Sequence, residues 1–185
     1  MLRKWFALAA LALLAGCGAM KPEEFAGKTP VLKLEEYFQG RTRAWGLFQD
    51  RFGKVRRQFV VEIEGKWDGK VLTLVEDFTY DDGETERRVW ELTRLDEHRW
   101  EGRTPDAIGV AEGTLYGPAF RFRYDFNLKV GDGRMRVHFD DWMFLQPGGT
   151  VLNRATMSKF GIDLGEVIIA FRPAGEEMPT QKAAE

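Results

Sequence analysis

Polar and apolar positions alternate one by one over most of this chain. Phe120, Phe122, Tyr124, Phe126, Leu128 and Val130 interleave with Arg121, Arg123, Asp125, Asn127 and Lys129. Successive side chains of an extended strand point to opposite faces, so this run reads as a strand with one apolar and one polar face. Phe59, Val61, Ile63, Gly65 and Trp67 repeat the pattern. Asp68-Gly69 follows them and tolerates the positive φ angles of a tight hairpin. Further strands are expected over 71–80, 87–94, 98–102, 109–116, 135–145, 151–159 and 164–172. The turns between them fall at Asp82-Gly83, Leu95 to Glu97, Gly117-Pro118, Gly131-Asp132-Gly133 and Pro147-Gly148-Gly149. Pro173 stops the pattern, leaving a polar tail over 174–185.

Nine or ten short strands with short connections, and no long amphipathic helix, predict an all-β fold built as an up-and-down meander. Such a meander hides its edges by closing on itself. The expectation is therefore an antiparallel, lipocalin-like β-barrel of about 8–10 strands over residues 37–173, with a β-sandwich as the alternative. Period two does not tell inside from outside. A membrane-spanning barrel alternates too, with its apolar face toward lipid.

The charged residues that fall on apolar faces are the candidate chemistry. Glu76 shares a face with Leu72, Leu74, Phe78 and Tyr80, and Arg88 shares one with Trp90 and Leu92. Asp141 lies among Met135, Val137, Phe139, Met143 and Leu145, while Asn153 and Lys159 lie among Val151, Ala155 and Met157. A spanning barrel would hold these charges in hydrocarbon, which counts against that reading. In a barrel interior they must pair, hydrogen-bond or meet water. One expectation is an internal ion-pair network that sets strand register. The sharper one is a partly hydrated pocket, with Arg88 or Lys159 meeting the acidic head of an acyl ligand held by aromatic walls. Acid–base catalysis by Glu76 and Asp141 is a third reading, without a nucleophile, metal cluster or phosphate loop to support it.

The first residues follow another pattern. Arg3 and Lys4 precede an uncharged apolar run from Trp5 to Ala15, too short for a bilayer span of about 20 residues. Leu14-Ala15-Gly16-Cys17 then resembles the lipobox of bacterial lipoproteins. That resemblance implies a signal peptide over 1–16, cleavage before Cys17, and lipidation of Cys17. Two or three acyl chains hold a protein stably to a membrane. Gly18 in place of Asp implies the outer membrane, facing the periplasm, in a Gram-negative host. Residues 17–36, with Pro22, Gly27 and Pro30, read as a tether that holds the barrel mouth near the bilayer.

Composition narrows the function. Lys and Arg number 27 against 29 Asp and Glu in 185 residues, so no electrostatic reason exists to expect nucleic acid. A single Cys excludes an internal disulfide framework and any zinc site with two thiolates. His98 and His138 sit in no metal-ligand spacing and read as surface or rim residues. Neither metal nor cofactor is expected, and the chain leans away from an enzyme.

Several segments resemble a family of bacterial lipoproteins known only as domain of unknown function 3833. They are Asp50-Arg51-Phe52-Gly53, Trp67-Asp68-Gly69, Phe139-Asp140-Asp141-Trp142-Met143, Asn153-Arg154-Ala155, Lys159-Phe160-Gly161 and Gly165-Glu166-Val167. The resemblance spans about Phe38 to Arg172 and implies an envelope lipoprotein with a calycin-like barrel. It brings no established activity and no catalytic residues. The leading expectation is a membrane-anchored barrel that binds a fatty-acyl or other small apolar molecule. The second is a ligand-free module that docks on an envelope protein partner.

Overall fold

The computed structural model of the chain describes residues 19–175. The expected signal peptide, Cys17 and most of the polar tail lie outside them. A 3-10 turn (Pro22–Phe25) and a one-turn helix α1 (Leu34–Tyr37) precede ten antiparallel strands. These are β1 (Gly40–Asp50), β2 (Val55–Trp67), β3 (Val71–Tyr80), β4 (Thr85–Arg94), β5 (Arg99–Arg103), β6 (Ala107–Tyr116), β7 (Ala119–Val130), β8 (Gly133–Leu145), β9 (Val151–Lys159) and β10 (Ile162–Pro173). Each strand pairs with its neighbours in sequence, and β1 pairs with β10 from Thr42↔Pro173 to Asp50↔Gly165, so the sheet closes into a barrel.

The apolar face of the strands looks inward. Phe120, Phe122 and Phe126 are buried together with Val61, Ile63, Leu72, Leu74, Trp90 and Val137. The outer face carries cross-strand ion pairs such as Arg87–Asp77, Arg121–Asp140 and Arg123–Glu112. Inside and outside are thereby settled: a lipid-spanning barrel would show the reverse polarity. Among the described residues no helix is long and apolar enough to cross a membrane.

One strand escaped the sequence pattern. Over β1 the inward side chains are Thr42, Ala44, Gly46 and Phe48, while Trp45 faces out and is exposed. Small inward residues and an outward Trp erase the apolar–polar contrast that marks the other strands. The ring of Phe59 fills the space above Gly46 where a Cβ would stand, which explains the glycine there.

A meander sends alternate turns to opposite ends. The β2–β3, β4–β5, β6–β7 and β8–β9 turns gather at one end, and residues 22–38 cover it. The segment expected to be a tether folds back on the barrel instead: Pro22, Leu32 and Leu34 are buried, as is Phe38 just after it, while most of its other residues stay exposed. Leu32 donates its N–H to the Gly117 carbonyl at 2.9 Å, and the Phe25 ring lies tilted against Phe144 at 5.4 Å. The Tyr37 hydroxyl donates to the Phe171 carbonyl at 2.9 Å and accepts from the Val151 N–H at 3.1 Å. The Phe38 carbonyl presses against Gly65, where any Cβ would overlap it. Apolar residues spaced too sparsely to read as helix or strand form a floor because the barrel supplies their partners.

Candidate functional site

The floor stops short of the other end, and a cavity of about 300 Å³ remains between them. Its walls are aromatic: Phe59 on β2, Phe78 and Tyr80 on β3, Trp90 on β4, Phe122, Tyr124 and Phe126 on β7, and Phe139 on β8. Leu34 and Phe38 lie at the bottom, and Arg57 and Lys129 stand at the mouth. Edge-to-face contacts of Trp90 with Phe122 and Tyr124, both at 5.2 Å, tie β4 to β7 across the interior.

Four of the five predicted polar residues line this cavity: Glu76, Arg88, Asp141 and Asn153. Glu76 and Arg88 are direct partners on β3 and β4. Asp141 on β8 pairs with Ala155 and is 7% exposed; Asn153 on β9 pairs with Met143 and is 3% exposed. Lys159 does not line the cavity. It has the inward parity, but it is the last residue of β9, and its ammonium lies 5.4 Å from the Phe160 ring. A long cationic stem at a strand end reaches water rather than entering an apolar interior.

Among the described residues no salt bridge joins Glu76, Arg88, Asp141 and Lys159 to one another. Neither Glu76 nor Asp141 makes a salt bridge among the described residues. The Arg88 guanidinium instead donates to Glu86 at 2.7 Å and lies 4.9 Å from the rings of both Phe78 and Phe126. Tyr124 donates its hydroxyl to Asp141 Oδ2 at 3.2 Å, and Tyr80 donates to Glu86 at 2.9 Å. In the interior of the cavity three buried polar atoms find no protein partner, Arg88 Nε, Asp141 Oδ1 and Asn153 Nδ2, and Arg57 Nε at the mouth is a fourth. The interior three offer two donors and one acceptor to whatever shares the cavity.

Burial pushes Glu76 up to about 7, against the pull of Arg88 and with a push from Glu86. It also pushes Asp141 up to about 7; the Tyr124 hydroxyl and Arg88 favour its charged form, while Asp140 and Glu76 oppose it. Desolvation raises Tyr124 well above its ordinary range, and Asp141 adds to that. Desolvation works against the Arg88 charge, but Glu76 and Glu86 outweigh it and keep the guanidinium protonated. The site therefore combines a permanent cation with two carboxyl groups that change state near neutral pH.

Sequence reasoning missed two members of this network. Tyr124 was visible only as part of the apolar wall. Glu86 precedes the expected strand start at 87, which hides the inward parity it shares with Arg88. The two imidazoles stay away from the cavity. His98 stacks on Tyr116 at 3.8 Å and its Nδ1 lies 2.9 Å from the Leu115 carbonyl oxygen; His138 is exposed and pairs with Asp125. Among the described residues no cluster of His, Cys, Asp and Glu is arranged to hold a metal ion.

A closed, ten-stranded antiparallel barrel around a cavity with an aromatic wall defines a lipocalin-like protein. The chain belongs to the DUF3833 family, proteins of unknown function, whose family model matches residues 11–173. Among solved structures it is similar to the S-type phycobiliprotein lyase CPES from Guillardia theta, with a TM-score of 0.59 at 12% identity over 85% of this chain and 100% of that one. At that identity the likeness concerns the fold. No curated protein matches the chain.

Proposed function

We propose that this barrel is an envelope lipoprotein that takes a small, mainly apolar or acyl molecule into its cavity. The observation that carries this reading is the unfilled interior of about 300 Å³, apolar-walled, with Arg88, Asp141 and Asn153 offering unpartnered polar atoms inside it. That volume stands at the small end of ordinary ligand pockets, about 300–1,000 Å³. The aromatic rings hold the apolar body, and Arg88 with the Asn153 amide receives a carboxyl or carbonyl end. Because Glu76 and Asp141 lose their protons near pH 7, an anionic end binds best below that pH, when Glu86 is the one carboxylate left beside Arg88 to compete with it.

The leader and the Leu14-Ala15-Gly16-Cys17 motif support lipidation at Cys17, and Gly18 supports the outer membrane. The ligand-free docking module is the second reading. It predicts an interior closed by side-chain packing, which the cavity disfavours. Native mass spectrometry followed by lipid extraction tests the carrier reading, together with titration by a fluorescent fatty acid. Co-purified lipid, or micromolar probe binding that Arg88→Leu weakens about tenfold or more, supports it. No co-purified lipid and no probe binding at any pH from 5 to 9 would sink it.

A further inference from the structure

The rim of the open end carries a feature that the cavity does not need. Three turns adjacent around the barrel, β1–β2, β9–β10 and β7–β8, present Phe52, Phe160, Ile162 and Val130 to solvent. Phe52 is 81% exposed and Phe160 is 92% exposed. Phe160 is also the single described non-glycine residue with positive φ, at 52°. Phe160 and Gly161 form a two-residue hairpin turn that takes positive φ at both positions, and a bulky side chain in that region is strained by about 1 kcal/mol or more where Asn or Gly would not be. The chain therefore accepts both backbone strain and lost burial to hold a phenyl ring at a hairpin tip.

The same three turns carry cations without ion-pair partners among the described residues. Arg51 lies over the Phe52 ring, Lys159 lies over the Phe160 ring, and Lys54 and Lys129 stand beside them. Of the acidic residues there, Asp50 is held by Arg56, leaving Asp132 and Asp163 against those four cations. Beyond the β1–β2 turn the neighbouring β3–β4 turn is acidic, with Asp81, Asp82 and Glu84, and Arg57 pairs with the last two. The β5–β6 turn adds a half-exposed Ile108 and the single unpaired cation Arg103, so exposed aromatic rings and unpaired cations are concentrated on the side of β7–β8, β9–β10 and β1–β2.

We propose that this side of the rim docks on an anionic lipid surface, with the Phe52 and Phe160 rings entering the headgroup layer and the unpaired cations meeting phosphate oxygens. Aromatic tips set among cations are what an interface of apolar depth and negative charge favours. The docking is independent of what fills the cavity, but it would bring the cavity mouth onto lipid. Ala19 and Met20 lead directly into the turn that packs on the closed end. An acyl anchor at Cys17 would therefore hold the closed end, leaving the rim about 30 Å away for lipid met from the other side.

The test places an environment-sensitive fluorophore on the thiol of a Cys17→Ser/Phe160→Cys variant of the full chain. A second variant, Cys17→Ser/Leu95→Cys, labels a turn of the closed end. The expected result is a blue shift at position 160 with phosphatidylglycerol vesicles, a much smaller one with phosphatidylcholine, and none at position 95. Phe52→Ser/Phe160→Ser should then bind phosphatidylglycerol vesicles about tenfold or more weakly, with an unchanged melting temperature because both rings are exposed. Lys54→Glu/Lys159→Glu should lose the preference for the anionic lipid. A shift at position 95 instead of 160, vesicle binding indifferent to both double substitutions, or a dimer that Phe160→Ser dissolves would overturn the proposal. The last result would give the rim to a second copy of the chain.

Discussion

The two ends of this barrel treat aromatic side chains in opposite ways. At the closed end Phe38, Trp100, Phe120 and Phe171 are buried, and the Tyr37 hydroxyl ties α1 to the backbone of β9 and β10. At the open end Phe52 and Phe160 stand in water, one of them on a strained backbone. Burial of apolar surface stabilises by about 25 cal/mol per Å². Rings exposed at the rim forgo that gain, whereas those in the floor collect it. The floor is where the fold is secured; the rim and the cavity beneath it are where stability has been given up for something else.

The largest test of this contrast is Gly65→Ala. Its Cβ would meet the Phe38 carbonyl, which is backbone and cannot swing aside, so the floor must lift. We expect a loss of about 3 kcal/mol and a melting temperature lower by about 10 °C, read by thermal denaturation. Phe52→Ser, at the rim, should leave the melting temperature where it was. Equal losses at both sites would erase the distinction between the ends.

Next in size is the dependence of stability on pH. Glu76 and Asp141 ionise in the ordinary carboxylate range when unfolded but at about 7 in the barrel. Between those values the unfolded chain has already released protons that the folded one keeps, so raising the pH favours unfolding. Their contribution is therefore complete below about pH 4 and lost by about pH 8. Urea denaturation should show the protein clearly less stable at pH 8 than at pH 5. Asp141→Asn and Glu76→Gln should each remove part of that slope. A wild-type profile that is flat over this range would mean that both carboxyls are well solvated. Exposed carboxylates held low by partners, such as Asp96 at about 2 through the Arg99 guanidinium, lose their contribution only under stronger acid.

Tyr37→Phe should cost about 1–2 kcal/mol, because the Val151 N–H and the Phe171 carbonyl both lose their hydroxyl partner inside the closed end. The smallest effect has the opposite sign. Phe160→Asn puts a residue tolerant of left-handed backbone at φ 52°, and should stabilise the fold by up to about 1 kcal/mol while weakening vesicle binding. Chemical denaturation beside a vesicle sedimentation assay reads both. A destabilised variant would show that the ring packs on something at the rim after all.

What the sequence determined alone was whatever depends on neighbours one or two residues away. Alternation marked nine strands and, with turn chemistry, their hairpin order; parity placed Glu76, Arg88, Asp141 and Asn153 on the apolar faces that became the cavity wall. Strand β1 stayed illegible because its inward residues are small, and Glu86 because a strand boundary fell one residue beyond it. Tertiary structure decided the rest. Closure through β1 and β10 chose inside from outside, which period two leaves degenerate. The same closure gave Leu32 and Leu34 of the expected tether, with Phe38 just after it, a barrel end to fill as a floor. It also put Lys159 at the rim and Arg88 between two phenyl rings, since parity fixes the face of a strand but not the height of a residue along the barrel.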